Sequence, residues 1–326
     1  MMQAPRIQAL PLAALLVFTT STVGAQSIAY PDKPIRMVLP FPPGGGTDGL
    51  ARVILPKMSQ ALGQPIVIDN RPGAGGIAAA ELVAKSAPDG HTLFMGSSTL
   101  VTATPSLLKL PYDSLRDFSP VTLFGTAAFI LAVNPQVAAS SVSQLVSLAK
   151  AKPASLNYAS GGLGSPLHLC GELFKSRAGI NLVHIAYKGG APAATAVIAG
   201  EAQILFGSFA ATLPLIRAGR LRALAVTSKT RAAVTPEVPT MMESGFPDYH
   251  VQAWASFDAP ARTPEAIVQR LYSETAKAAF LPEVIDLMNK IGYAPANNTP
   301  RQYAEQKRTE TAMWAKLIRE ANIRGE

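Results

Sequence analysis

Few side chains in this sequence are equipped for covalent or metal chemistry. Cys170 is the only cysteine among 326 residues, and the four histidines, His91, His168, His184 and His250, are scattered. No two of them stand four apart, as a zinc-binding helix requires, and one cysteine forms neither a thiolate cluster nor an internal disulfide. Ser165 and His168 do place a hydroxyl and a base three residues apart, the pairing that activates a nucleophile. They lack the G-x-S-x-G elbow of the serine hydrolases, however, and both fall where a helix begins, so His168 is expected to cap or pack rather than abstract a proton. An exported serine hydrolase is therefore the lesser alternative, and no catalytic residue, metal or cofactor is assigned.

Glycines offer a different chemistry, recognition through the backbone. Residues 40–48 read PFPPGGGTD, after an apolar run and ahead of an amphipathic helix expected to start near Leu50. Glycine lets the backbone approach a guest closely, and the first N–H groups of a helix lack acceptors and carry partial positive charge, so such an end binds anions. Thr47 or Asp48 can serve as the N-cap, a role common to helices with or without a ligand. No Gly-Lys-Ser/Thr follows and the glycines are not spaced G-x-G-x-x-G, which disfavours a nucleotide. Residues 156–174, LNYASGGLGSPLHLCGELF, repeat the logic, with Ser160, Gly161, Gly164 and Ser165 ahead of a helix opening near Leu167. A third junction, AYKGGAPA, carries Tyr187, placed to lie over a ligand, and Lys188, which reads more simply as an exposed lysine.

The elements that must position these loops alternate along the chain. Short β-branched runs at 35–39, 66–69, 92–95, 129–133, 156–159, 182–185, 202–206, 223–227 and 252–259 read as strands buried on both faces. Helical stripes lie between them, such as Leu50, Val53, Ile54, Met58, Ala61 and Leu62, or Ile267, Val268, Leu271, Tyr272, Ala276 and Phe280. The fold class is α/β. So many strands suit two lobes better than one sheet, with crossings at Asn134–Pro135 and over residues 231–249. Lobe 1 is expected at 30–124 plus 250–326 and lobe 2 at 125–249. Arg6, the apolar run 9–17 and the small residues up to Gly24 and Ala25 have the order of a signal peptide cleaved near Ala25. Hydrophobic residues at 48% against 15% charged exclude a disordered chain, and a net charge of +8 suits an anionic guest. The basic residues are dispersed without interleaved aromatics, so nucleic acid is not expected.

Several blocks in order make the chain resemble a known family. They are YPDKPIRMVLPFPPGGGTD from Tyr30, IDNRPGAGG from Ile68, APDGHTLFMGSS from Ala87, GGLGSPLHL, AYKGGAPA, EVPTMMESGFP from Glu237 and WASFDAPARTP from Trp254. Together they resemble the Bug-type receptors of tripartite tricarboxylate transporters, over essentially the whole chain after the leader. The resemblance implies a two-lobed periplasmic-binding-protein (Venus flytrap) fold, each lobe a mixed sheet flanked by helices, joined by two crossover strands. It implies a monomer that captures a small mono-, di- or tricarboxylate in the cleft and delivers it to membrane permease subunits; a sensory partner of a membrane kinase is the alternative. Ligand contacts are expected from Phe41, Gly45, Gly46, Thr47 and Asp48 on one side and from Ser160, Gly161, Gly164, Ser165 and His168 on the other. Ser97, Tyr187 and Ser208 complete the set, and bridging waters carry part of such contacts. The chain departs from the family pattern in three places: Gly207 and Ser208 stand where an acidic or amide residue is usual, Arg262 replaces a common glycine, and Cys170 replaces a small residue such as alanine.

Overall fold

The computed structural model describes residues 1–2, 30–43, 46–232 and 234–323. By contacts, Met1–Tyr30 form one unit, of which Met1, Met2 and Tyr30 are described, and Pro31–Glu326 form the other. The expected signal peptide, apart from its first two residues, and its cleavage near Ala25 lie outside the described residues, as does Gly45.

The larger unit opens with three parallel strands, β1 (Ile35–Leu39), β2 (Ile66–Asn70) and β3 (Thr92–Ser97), ordered β2-β1-β3. Helices α1 (Gly46–Leu62) and α2 (Ile77–Ala84) connect them, and β3 runs into a π-helical turn, Thr99–Ala103, and the one-turn helix α3 (Thr104–Leu107). Next comes β4 (Phe118–Val133), 16 residues long. After α4 (Val142–Ala151), the strands β5 (Asn157–Ser160), β6 (Val183–Ala186) and β7 (Ile204–Ser208) form a second parallel set ordered β6-β5-β7. Their helices are α5 (Pro166–Ala178), α6 (Gly190–Ala199) and α7 (Phe209–Arg217). The chain then passes through β8 (Arg222–Val226) and β9 (Gln252–Pro260), α8 (Glu265–Ala279), α9 (Pro282–Lys290), β10 (Ala294–Asn298) and α10 (Pro300–Glu320).

β4 belongs to both sheets. Residues 118–128 pair antiparallel with β9, and β10 joins the same stretch; residues 129–133 pair with β7 and β8. The return runs beside it, Thr227 N donating to Phe129 O at 2.9 Å and Val251 N to Thr227 O at 2.9 Å before β9 begins. Each sheet is mixed and carries helices on its faces. In the second, α5 and the end of α10 cover one face through Leu169, Phe174, Trp314 and Leu317, while α6 and α7 cover the other through Ala194, Val197 and Phe209.

Local sequence explains the helix ends. Ser165 caps α5 by accepting from His168 N, Pro166 sits where its missing N–H costs nothing, and Gly179 ends the helix at φ 59°. Thr299 and Gln302 form a reciprocal capping box on α10. Several expectations need correction. The first helix starts at Gly46, so Thr47 and Asp48 lie in its first turn instead of capping it. The runs 66–69 and 182–185 were expected to be buried on both faces, yet β2 and β6 are sheet edges with Val67 and Val183 exposed. On α8 the apolar stripe continues through Thr275, Ala278 and Ala279, leaving Phe280 out in solvent. Arg262 has φ 68°, a left-handed conformation that favours glycine, which accounts for the residue common there in the family.

The first sheet is tied to α10 by charge. Asp258 of β9 and Lys307 of α10 are both almost fully buried, with Lys307 Nζ 3.0 Å from Asp258 Oδ1 and 5.3 Å from the centroid of the Tyr303 ring. Ser256 Oγ and Tyr303 Oη bring further donors to Asp258 Oδ2, at 2.9 Å and 2.8 Å. Removing one member of such a pair leaves a charge stranded in the core. Lys307→Met should therefore lower unfolding free energy by about 3–5 kcal/mol, measured by urea denaturation; a loss under about 1 kcal/mol would mean that the carboxylate is neutralised another way.

Candidate ligand-binding site

Strand order and direction decide where a guest can sit. In open α/β sheets ligands bind beyond the carboxyl ends of the strands, where successive connections depart to opposite sides. That point falls between β1 and β3 in the first sheet and between β5 and β7 in the second. The register of β4 brings the two together. Ser97, ending β3, is level with Ala255 of β9 and through it with Gly125 of β4. Ser208, ending β7, is level with Phe129. Because β4 leaves the first sheet at the carboxyl edge of β3 and enters the second at the carboxyl edge of β7, both edges border one gap. Four steps of strand, Gly125 to Phe129, separate them, about 13 Å at the usual rise.

The expected residues distribute around this gap as follows. Gly46 and Thr47 open α1 after β1, and Thr47 faces the hydroxyl of Tyr293. Gly292, next to Tyr293, lies against Phe209 and Ala210: a Cβ there would sit 3.6 Å from Ala210 N. Thr47 and the Ser208 end of β7 are thus linked through one turn. Ser160 ends β5 and Gly161 follows it, and Tyr187 N donates to Ser160 O at 2.9 Å, which joins the second and third loops. A Cβ on Gly161 would lie 3.2 Å from the carbonyl carbon of Gly189, a backbone-on-backbone approach that only a residue without a side chain makes comfortably. On the first sheet's side, Leu107 of α3 meets the second loop at Gly164, where a Cβ would lie 2.9 Å from its Cδ1.

Other expected contacts are engaged inside the protein. Asp48 is 1% exposed, and its carboxylate accepts from Arg52 Nε at 2.8 Å and Asn70 Nδ2 at 3.0 Å. The same Asn70 amide donates to Phe41 O at 3.0 Å, so Asp48 fastens the first loop to the end of β2. The Gly164 amide donates to His168 Nδ1 at 3.0 Å, and His168 is buried. Ser165 Oγ meets the backbone of His168, not its ring, so hydroxyl and imidazole are not arranged as nucleophile and base. Tyr187 Oη donates to Glu201 at 3.2 Å.

Two cavities flank the crossing strands. One of about 490 Å³ includes Ser98, Thr99, Thr126, Phe129, Pro166 and Trp254 in its wall, and another of about 600 Å³ includes Thr126, Ala128, Phe209, Gly292 and Tyr293. Their walls hold the chain neighbours Ser98, Pro166 and Phe209, next to Ser97, Ser165 and Ser208, and none of the described expected residues themselves. Ser98 and Thr99 are not among the expected contacts, although the run GSST, in which β3 ends, has the same form as the glycine- and serine-bearing loops. Thr126, Phe129 and Tyr293 gave no signal, because only pairing and folding bring them to the gap.

Two mixed sheets, their parallel sets open toward each other and joined by a shared strand, with glycine-rich helix starts at the rim, define a two-lobed solute-binding protein. The chain belongs to the tripartite tricarboxylate transporter family of receptors, whose profile, described as "Tripartite tricarboxylate transporter family receptor", matches residues 50–323. Protein BugT of Bordetella pertussis is 37% identical over 297 residues, 90% of this chain and 91% of BugT. An R. palustris protein solved with adipate superposes with a TM-score of 0.75 at 33% identity, covering 91% of this chain and 100% of that one. MatC from Rhodopseudomonas palustris, solved with bound malate, gives 0.72 at 31% identity over 89% and 100%. Among the described residues no helix is long and apolar enough to cross a membrane, and no group of three His, Cys, Asp or Glu side chains is placed to hold a metal ion.

Fastening of the first loop by Asp48 has a measurable consequence. Asp48→Ala should cost about 2 kcal/mol, since the donors of Asn70 and Arg52 lose a charged acceptor, and should speed amide exchange at Phe41 and Thr47. Unchanged exchange there would show that the loop holds its shape without the carboxylate.

Proposed function

We propose that this protein captures a small carboxylate reversibly between its two sheets, performs no chemistry on it, and delivers it to the permease subunits of a tripartite transporter. The carrying observation is the register of β4 and β9, which sets the carboxyl edges of the two parallel sets about 13 Å apart along β4, on one gap. Helix openings at Gly46–Thr47 and Gly161–Ser165 border it with backbone amides and hydroxyls, groups suited to a carboxylate. Adipate and malate in the two related structures support a dicarboxylate in particular. In this reading Gly46, Thr47, Ser97, Gly161, Ser165 and Ser208 face the guest, while Asp48, Gly164, His168 and Tyr187 hold the loops in shape. The lobes divide as 30–124 plus 250–326 and 125–249. They close by hinging at the crossing, because the ligand favours the state in which both rims reach it. The protein works as a monomer in the periplasm after removal of its leader near Ala25.

A thermal-shift series with adipate, malate and citrate tests the reading. A ligand that binds the folded state alone adds about 2.7 kcal/mol at a hundredfold excess over Kd, so at least one carboxylate should raise Tm saturably. Gly46→Val should fold and bind at least tenfold more weakly, measured by calorimetry. No shift with any carboxylate, alongside a shift with a neutral or cationic solute, overturns the ligand class. Unchanged affinity in a folded Gly46→Val removes the first loop from the site.

A further inference from the structure

Behind the second glycine loop lies a stack of rings that the proposed function does not itself use. Tyr158 of β5, His184 of β6 and His168 of α5 lie nearly parallel, with His168 and His184 centroids 4.0 Å apart and Tyr158 and His184 centroids 4.8 Å apart. Each histidine holds one end of the loop. His184 Nε2 is 2.7 Å from the hydroxyl of Ser160, which is fully buried and also accepts from Gly162 N at 3.2 Å. His168 Nδ1 accepts the amide hydrogen of Gly164 at 3.0 Å. Only an imidazole without a proton on Nδ1 can do that, which leaves Nε2–H directed toward Glu172 Oε1, 3.9 Å away.

We propose that His168 and His184 are positioning residues for ligand capture, holding residues 160–165 in the binding shape while both are neutral and releasing that shape when the stack takes up a proton. The inference rests on the second loop being part of the site, as proposed above.

The surroundings fix the sign. Glu172 Oε1 accepts from Tyr158 Oη at 2.5 Å and Lys175 Nζ at 2.8 Å, so its charge is already compensated within the cluster. Cys170 is buried on the same helix, its carbonyl accepting from Tyr249 Oη at 2.7 Å. Burial, the neighbouring imidazole and Lys175 lower His184 to about 4, and burial followed by Lys175 lowers His168, with Glu172 opposing in both cases. The unfolded chain takes up these protons near 6.5, so the contribution to stability is complete above that pH and is lost as pH falls toward about 4. Protonating His168 removes the acceptor for Gly164, and charging both rings sets two cations face to face.

Paired variants separate positioning from space-filling. Asparagine can place an amide oxygen near the His168 Nδ1 position and glutamine an amide near the His184 Nε2 position, and neither titrates. His168→Asn/His184→Gln should bind adipate within about threefold of the parent at pH 7 and lack the parent's extra loss of affinity between pH 6.5 and 4. Ionisation of adipate itself affects both proteins alike and cancels in the comparison. Folded His168→Leu/His184→Leu should bind at least tenfold more weakly at pH 7. In the ligand-free protein, exchange of the Gly164 amide should quicken at least tenfold in His168→Leu and stay protected in His168→Asn. Superimposable pH profiles, or leucine variants that bind and exchange like the parent, overturn the proposal. If no carboxylate binds the parent while Gly164 exchange follows the expected pattern, the functional reading fails and the positioning role stands.

Discussion

The sharing of β4 between two sheets is the constraint on which the rest depends. A strand has one direction, so its partners on either side of Ala128 inherit theirs from it. β9 intervenes between β3 and β4 in the first sheet, which makes β3 run with β4, whereas β7 pairs with β4 directly and runs against it. That difference of one intervening strand turns the carboxyl edges of the two parallel sets toward each other. Without β9 in that place, the loops after β1 and β5 would open in the same direction and share no guest.

Within that frame, charge and polarity are used sparingly in the core and at definite points. Asp258 and Lys307 lock β9 to α10, so the returning strand is anchored to the longest helix among the described residues. Asp48, Asn70 and Arg52 tie the first loop to the end of β2, and the histidine stack ties the second loop to β5 and β6. Buried polar groups of this kind are costly unless fully paired, and the pairing fixes one arrangement of the chain. Both rims of the gap are thereby supported from behind, leaving amides and hydroxyls in front.

Much of this was legible in the residues, and the failures have identifiable causes. Strands rich in Val, Ile and Leu, such as Ile35–Leu39, announce themselves, and the junctions with Gly46, Gly161 and Tyr187 read correctly as strand-to-helix turns. The first eleven residues of β4 did not. Pro120 and Gly125 mimic turn punctuation there, whereas in the fold each falls beside an irregularity in the pairing with β9. β10, APANN, contains no β-branched residue and is a strand only because β4 offers it an edge. The internal partners of Asp48 and His168 were not legible for a related reason. Sequence shows that a polar side chain is near a loop, but the direction in which it points depends on Asn70 and Gly164, partners fixed only by packing and backbone geometry.

The contact between Gly161 and Gly189 carries a consequence for how such a receptor diversifies. With these backbones touching and Gly189 N donating to Gly161 O at 3.3 Å, the turns after β5 and β6 form a single rigid wall with no slack for a larger residue at Gly161. Under the proposed capture between the two rims, a bulkier or longer guest is accommodated by the opposite rim, around Phe41 and Ser97, or by a smaller angle of closure, and a change of cargo is expected to be written mainly in the amino-terminal half of the cleft, with the other half acting as an anvil.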